Sequence, residues 1–250
     1  FWGDRNVCDG WNTASPITSS KLLARMYISH SGILLYLPDD ETTSERIYRR
    51  LLRGQRTFSR TVFLYRCHYR LYLFPMKITL IRHTRVAVET GICYGWSDVG
   101  VAPSFETEAS RVKENISNEQ FDIVYSSPLS RCRKLAAFCG FHEPILDDRL
   151  KELNFGEWEM KKWDDLTDPR LELWYKDWIH LPAGGGESYE NQCRRVAQFL
   201  DELRHSGHTD ACIFTHRGVI ACAMVYAGIC PIEESFSIEV DYGSKNVLEF

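Results

Sequence analysis

Lys77-Ile-Thr-Leu-Ile-Arg82-His83-Thr84 decides how this chain is read. An apolar, β-branched run of strand length ends abruptly in a guanidinium and an imidazole. In an open α/β sheet the ligand crevice lies beyond the carboxyl ends of the strands, so a strand here delivers both groups into that crevice. Arginine's planar fork binds phosphate bidentately and stays charged. A histidine beside it can attack phosphorus or relay a proton near neutral pH.

The pattern extends outward from that strand. Ser104 is expected to cap a helix whose apolar residues Phe105, Ala109, Val112 and Ile116 are spaced four, three and four. Phe121-Asp-Ile-Val-Tyr125 reads as a second strand ending in Ser126-Ser127, and a helix follows from Ser130 to Cys139. Ile145 to Leu150 is short and extended, and the aromatic-rich stretch from Trp163 to Ile179 is expected to be helical. Gly184-Gly185-Gly186 breaks the chain before a helix capped by Ser188, with Cys193, Val196, Phe199, Leu200 and Leu203 on one face. Ala211-Cys-Ile-Phe-Thr215 is the third clear strand; it ends in His216-Arg217-Gly218 and leads into a small-residue helix over 219–227. Strands alternating with helices imply an α/β fold, with a mainly parallel sheet covered on both faces.

Three strand ends thus carry polar groups: Arg82-His83, Ser126-Ser127 with Arg131 close behind, and His216. In a parallel sheet they fall on one edge, where two arginines and two histidines form a four-cation cluster suited to a dianion. Arg82 and Arg131 would hold a phosphoryl group and neutralise its oxygens as charge spreads in the transition state. His83 would be the in-line nucleophile, with His216 orienting the phosphoryl oxygens.

Composition narrows the partners. The chain has 250 residues, of which 44% are hydrophobic, enough for a sizeable core. A net charge of -4 argues against a nucleic-acid partner, and no apolar run reaches membrane-spanning length. The nine cysteines form no CxxC pair and no zinc spacing, which reads as reduced, buried thiols in a cytoplasmic protein. Asp147-Asp148 reads as a loop rather than a metal site, His205 and His208 as a solvated turn, and the glycine run lacks the lysine of a P-loop. No metal and no cofactor is expected. The partner expected is a small phosphate ester, and the oligomeric state is unreadable.

A division falls at Met76. Before it the charge is +5, built on ten arginines and one lysine; from Met76 onward it is −9. Residues 1–75 show no clean periodicity and are expected to be an atypical N-terminal extension, disordered or arising from a wrongly assigned start, with the regular domain occupying 76–250.

The full set of motifs resembles the histidine phosphatase superfamily, also called phosphoglycerate mutase-like. The matching residues are Arg82-His83, Ser127-Pro128-Leu129-Ser130-Arg131, Leu150-Lys151-Glu152-Leu153-Asn154-Phe155-Gly156-Glu157-Trp158-Glu159, Gly185-Gly186-Glu187-Ser188 and Thr215-His216-Arg217-Gly218. The resemblance implies a three-layer α/β/α sandwich. It implies that His83 becomes a phosphohistidine, that Glu152 donates a proton to the leaving oxygen, and that Arg82, Arg131 and His216 form the phosphate pocket. Glu157 and Glu159 compete with Glu152 on residue type alone. The sequence departs from the family pattern at Thr84, Arg85 and Glu89, so phosphate contacts at the last position do not carry over. Thr84 and Arg85 either shape specificity or follow a different loop path.

Within the superfamily, Arg82-His83-Thr84, Gly91-Ile-Cys-Tyr-Gly-Trp-Ser-Asp98 and Cys132 after Arg131 look most like alpha-ribazole phosphatases, which act in cobalamin biosynthesis. That resemblance implies alpha-ribazole 5'-phosphate or adenosylcobalamin 5'-phosphate as substrate, with Tyr94, Trp96 and Trp158 as stacking faces for a benzimidazole. The alternatives are a broad sugar-phosphate phosphatase, a phosphoglycerate mutase-like enzyme, and a non-catalytic phosphate-ligand sensor. A sensor would lack the nucleophile or the acid, and both residue types are present.

Overall fold

The computed structural model describes residues 75–250, and the expectations for the segment before Pro75 lie outside them. Five strands form one sheet in the order β3-β2-β4-β1-β5, where β1 is Lys77–Arg82, β2 Ile123–Ser126, β3 Ile145–Leu146, β4 Asp210–Thr215 and β5 Lys245–Glu249. β3, β2, β4 and β1 run parallel to one another, and β5 closes the edge antiparallel to β1. The helices are α1 Phe105–Ile116, α2 Ser130–Phe138, α3 Arg170–Lys176, α4 Tyr189–Arg204 and α5 Arg217–Tyr226.

Both faces of the central strands are buried, which is why they read as continuous apolar runs rather than alternating ones. Side-chain alternation sorts them between two cores. Ile78, Leu80, Ala211 and Ile213 pack under α4 and α5, against Val196, Phe199, Leu200, Leu203, Val219, Ile220 and Ala223. Ile81, Cys212 and Phe214 pack on the other side, under Ala109, Val112 and Ile116 of α1 and Cys132, Leu135 and Ala136 of α2. The expected three-layer α/β/α sandwich with a mainly parallel sheet is therefore observed.

Several boundaries differ from the sequence reading. β2 begins at Ile123, because Phe121 leaves the strand to pack edge-on against Phe141. Ser104 precedes α1 but does not cap it: its hydroxyl donates to Glu108 Oε1 at 2.7 Å, and its backbone is already helical. Ser188 does cap α4, accepting from the Asn191 N–H at 3.3 Å. Only Ile145–Leu146 of the extended stretch pairs as a strand, followed by a 3-10 turn over Asp148–Leu150. The segment from Trp163 to Ile179 is not one helix: a 3-10 turn at Trp163–Asp165 ends before Pro169, where α3 starts.

A third cluster stands apart from the sheet. Cys93, Leu153, Phe155, Trp158, Trp174 and Ala183 form it, with Trp163 and Trp178 packed alongside. The glycine run seals it. Gly184 has φ +55°, and a Cβ there would lie 2.2 Å from the Phe155 carbonyl and 2.8 Å from the Trp158 ring. The run thus serves close packing against the 154–158 turn rather than a phosphate cradle.

The starts of α2 and α5 position the site. α5 begins at Arg217, directly after His216 and two residues before the expected start. Its first N–H groups therefore face the same sheet edge as the ends of β1 and β2, and the Gly218 N–H donates to the Glu152 carboxylate there.

Candidate active site

Register in the sheet brings the strand ends together. Arg82 pairs with Thr215, and Ser126 with Phe214. The following residues stay in step: the His83 N–H donates to Thr215 O at 3.0 Å and the Ser127 N–H to Phe214 O at 2.9 Å. His83 and His216 consequently face each other with ring centroids 5.1 Å apart. His83, Arg131, Glu152 and His216 are all buried.

His83 Nδ1 lies 2.7 Å from the Thr84 carbonyl oxygen. A carbonyl only accepts, so Nδ1 carries the hydrogen and Nε2 keeps an open lone pair. Burial, then the Arg131 and Arg82 charges, hold the His83 pKa well below the ordinary histidine value. His216 is lowered by burial, then by Arg131 and His83. Where four cations were expected, burial and the nearby arginines disfavour a charge on either imidazole, which leaves Arg82 and Arg131 as the positive groups.

That inversion has a consequence for stability. A histidine whose folded pKa is depressed binds its proton more readily in the unfolded chain, so stability is fully present above the unfolded value and is lost as pH falls below it. With two such groups, unfolding free energy should drop by about 1.4 kcal/mol per pH unit near about pH 6.5, steepening toward about 2.7 kcal/mol per pH unit about one unit lower. Urea titrations between pH 5 and 7 would measure this slope. The double substitution His83→Gln and His216→Gln should flatten it; an unchanged slope would mean these rings carry protons in the folded state.

Each arginine is held by carbonyls. Arg131 donates from Nη1 to Ser97 O at 2.9 Å and from Nη2 to Gly95 O at 2.7 Å. Arg82 donates from Nη1 to Val240 O, and its guanidinium lies 3.7 Å from the centre of the Tyr242 ring. The Nε–H of each is buried without a protein acceptor. His216 Nε2 meets Ser127 Oγ at 2.8 Å and lies 3.5 Å from Cys132 Sγ.

Glu152 points at the start of α5. Its Oε2 accepts the Gly218 N–H at 3.2 Å; its Oε1 accepts the Leu153 N–H at 2.9 Å and Gln192 Nε2 at 3.0 Å. A Cβ at position 218 would sit 2.2 Å from Oε1, so the carboxyl group depends on glycine there. Arg195 fixes the backbone beneath, donating to the carbonyls of Arg149, Lys151 and Glu152 and pairing with Glu187. The two competing carboxylates are committed elsewhere. Glu159 accepts from the N–H groups of Phe155, Trp96 and Ser97, and Glu157 pairs with Arg170 at the surface.

The structure brings Arg82, His83, Arg131, Glu152 and His216 to one sheet edge. It also adds residues that the sequence reading gave no role. Ser127 was legible inside its motif, whereas Gln192 and Tyr242 lie on elements with no chemical signature. Tyr242 OH bonds Tyr94 OH at 2.9 Å, and Tyr94 lies 5.5 Å from the Arg131 guanidinium, so the pair spans the two arginines. The divergent residues separate. Thr84 is buried beside the nucleophile position with an unpartnered hydroxyl. Arg85 pairs with Glu108 at 3.1 Å, and Glu89 pairs with Lys162 at the surface. Trp158 is 1% exposed and donates its indole N–H to Asp168, so it cannot stack on a ligand; Trp96 is 40% exposed. Among the described residues no helix is long and apolar enough to cross a membrane.

Comparison with known proteins adds four findings. The family model of the histidine phosphatase superfamily (branch 1) matches residues 78–250. The adenosylcobalamin/alpha-ribazole phosphatase of Escherichia coli is 25% identical over 189 residues, 70% of this chain and 90% of the relative. Phosphoserine phosphatase 1 of Hydrogenobacter thermophilus is 25% identical over 69% of this chain and 86% of its own length. Among solved structures, the alpha-ribazole phosphatase of Shigella flexneri superposes with a TM-score of 0.63 at 24% identity, covering 69% of this chain and 89% of that one.

Proposed function

Because this chain belongs to the histidine phosphatase superfamily and is a phosphatase, we propose that it hydrolyses a small phosphomonoester through a phosphohistidine on His83. The observation that carries this reading is the Nδ1–H of His83 fixed by the Thr84 carbonyl, which leaves Nε2 bare between two arginines. In the first half-reaction Nε2 attacks phosphorus as the P–O bond to the alcohol breaks. Arg82 and Arg131 neutralise the charge on the phosphoryl oxygens, and His216, held by Ser127, orients them. An alkoxide is a poor leaving group, so Glu152 passes it a proton. In the second half-reaction water attacks the phosphohistidine, Glu152 takes a proton from that water, and inorganic phosphate leaves.

The substrate we propose is alpha-ribazole 5'-phosphate, or adenosylcobalamin 5'-phosphate, in cobalamin biosynthesis in the cytoplasm. Support comes from the alpha-ribazole phosphatases among the relatives, from Tyr94, whose ring centre lies 5.5 Å from the Arg131 guanidinium, and from the exposed Trp96, whose indole N–H donates to the Glu152 carbonyl. We assign this chemistry to residues 76–250 and treat the earlier residues as an extension. Phosphoserine is the second reading, since phosphoserine phosphatase 1 is as similar in sequence. Steady-state kcat/KM on alpha-ribazole 5'-phosphate, phosphoserine and 3-phosphoglycerate separates the candidates. The expected result is a preference for alpha-ribazole 5'-phosphate of about tenfold to hundredfold, the range that one differential contact supplies. Equal values on all three would overturn the substrate assignment and leave the phosphatase chemistry standing.

A further inference from the structure

Gln192 lies in the first turn of α4 and is completely buried. Its Nε2 donates to Glu152 Oε1 at 3.0 Å. Its other amide atom, Oε1, is buried with no donor at all. A buried carbonyl without a partner costs about 1–3 kcal/mol, and such groups in a working site ask for an explanation. The same amide is packed against the start of α5: a Cβ on Gly218 would lie 2.9 Å from Nε2 and 3.0 Å from Oε1. Both ends of the amide are therefore within the Glu152–Gly218 contact, and only one of them is in use.

A carboxyl group that serves as acid and then as base alternates between two hydrogen-bonding characters. As a carboxylate it only accepts; as a carboxylic acid it also donates. Among the groups on Glu152, the N–H groups of Leu153 and Gly218 can only donate. They donate to the carboxyl oxygens and offer nothing to the acid's hydrogen. Gln192 alone among these three partners has both a donor and an acceptor, on one rotatable group.

We propose that Gln192 is the positioning residue for Glu152 in both halves of the reaction. Its amide N–H holds the carboxylate, and after rotation its unpartnered carbonyl holds the acid. This inference rests on the reading of Glu152 as the proton donor.

The test compares leaving groups. An alkyl phosphate needs the proton from Glu152, whereas p-nitrophenolate leaves without one. kcat/KM reports the steps through phosphorylation of His83, so it isolates the acid. In Gln192→Met, which keeps the length of the side chain and removes both polar atoms, kcat/KM on the alkyl phosphate should fall about tenfold to hundredfold. On p-nitrophenyl phosphate it should stay within about twofold, which also shows the variant to be folded. Equal loss on both substrates, or no loss on the alkyl ester, would overturn the proposal. If Gln192→Met is insoluble, Gln192→Asn serves instead, because it keeps the amide but draws it back by one methylene. It should show the same selective loss, and a non-selective effect there overturns the proposal equally. Glu152→Gln is run alongside. If that variant is selective and the Gln192 variants are not, only the present inference fails. If Glu152→Gln is itself unselective, the acid assignment fails and takes the inference with it.

Discussion

His83→Ala is expected to lower phosphomonoesterase activity by on the order of 10⁴-fold or more, on every substrate, with the fold intact. Removing a nucleophile that forms the covalent intermediate eliminates the pathway rather than slowing one step of it. The size of the effect follows from how much of the site converges on this ring. The Thr84 carbonyl sets its tautomer, burial and then the Arg131 and Arg82 charges disfavour its protonation, and His216 packs edge-on against it. Alanine leaves Arg82 and Arg131 in place, and under the proposed reading these should still bind phosphate. Inorganic phosphate should therefore inhibit or protect the variant at concentrations close to those for the native protein. Activity retained within tenfold would mean that another group attacks phosphorus.

Glu152→Gln should lower kcat/KM on alkyl phosphates by about 10²–10⁴-fold, the range for loss of a general acid. The amide has nearly the same shape, and its single oxygen can accept from either the Leu153 or the Gly218 N–H, which bond different oxygens of the carboxylate. It has no proton to give. On p-nitrophenyl phosphate the same variant should lose less than about tenfold, because that leaving group departs as a stable anion. The ratio between the two substrates is the diagnostic quantity, since a merely misfolded or loosened site would depress both alike. A parallel loss would reassign Glu152 to a structural role.

The sequence alone showed the sheet edge well and the supporting layer poorly. Strands β1 and β4 were legible because both of their faces are buried, so their apolar runs are unbroken. Arg82, His83, Arg131 and His216 could be placed because parallel strands put their carboxyl ends on one edge. Glu152 has no such guide. It lies in a loop whose path depends on Trp158, Trp174 and the tight glycines, and only the family resemblance singled it out. The charge state of the cluster was misjudged for a related reason. Residue types suggested four cations, whereas burial turns both histidines neutral. Trp158 looked like a stacking platform because exposure cannot be read from one aromatic letter. Gln192 and Tyr242 left no trace, as neither belongs to a motif and their roles exist only through contacts across the fold. The early start of α5 was missed because His216 and Arg217 are polar, and polarity at a helix N-terminus resembles loop.

The central claim is that a phosphoryl group passes through His83. Rapid quenching of the protein during turnover of a 32P-labelled substrate, followed by peptide mapping, tests it directly. The account requires an alkali-stable, acid-labile phosphate on the peptide carrying His83, formed at least as fast as turnover and absent from His83→Ala. Label on any other residue, or turnover with no covalent phosphate at all in the native protein under conditions where dephosphorylation is slowed, would contradict it.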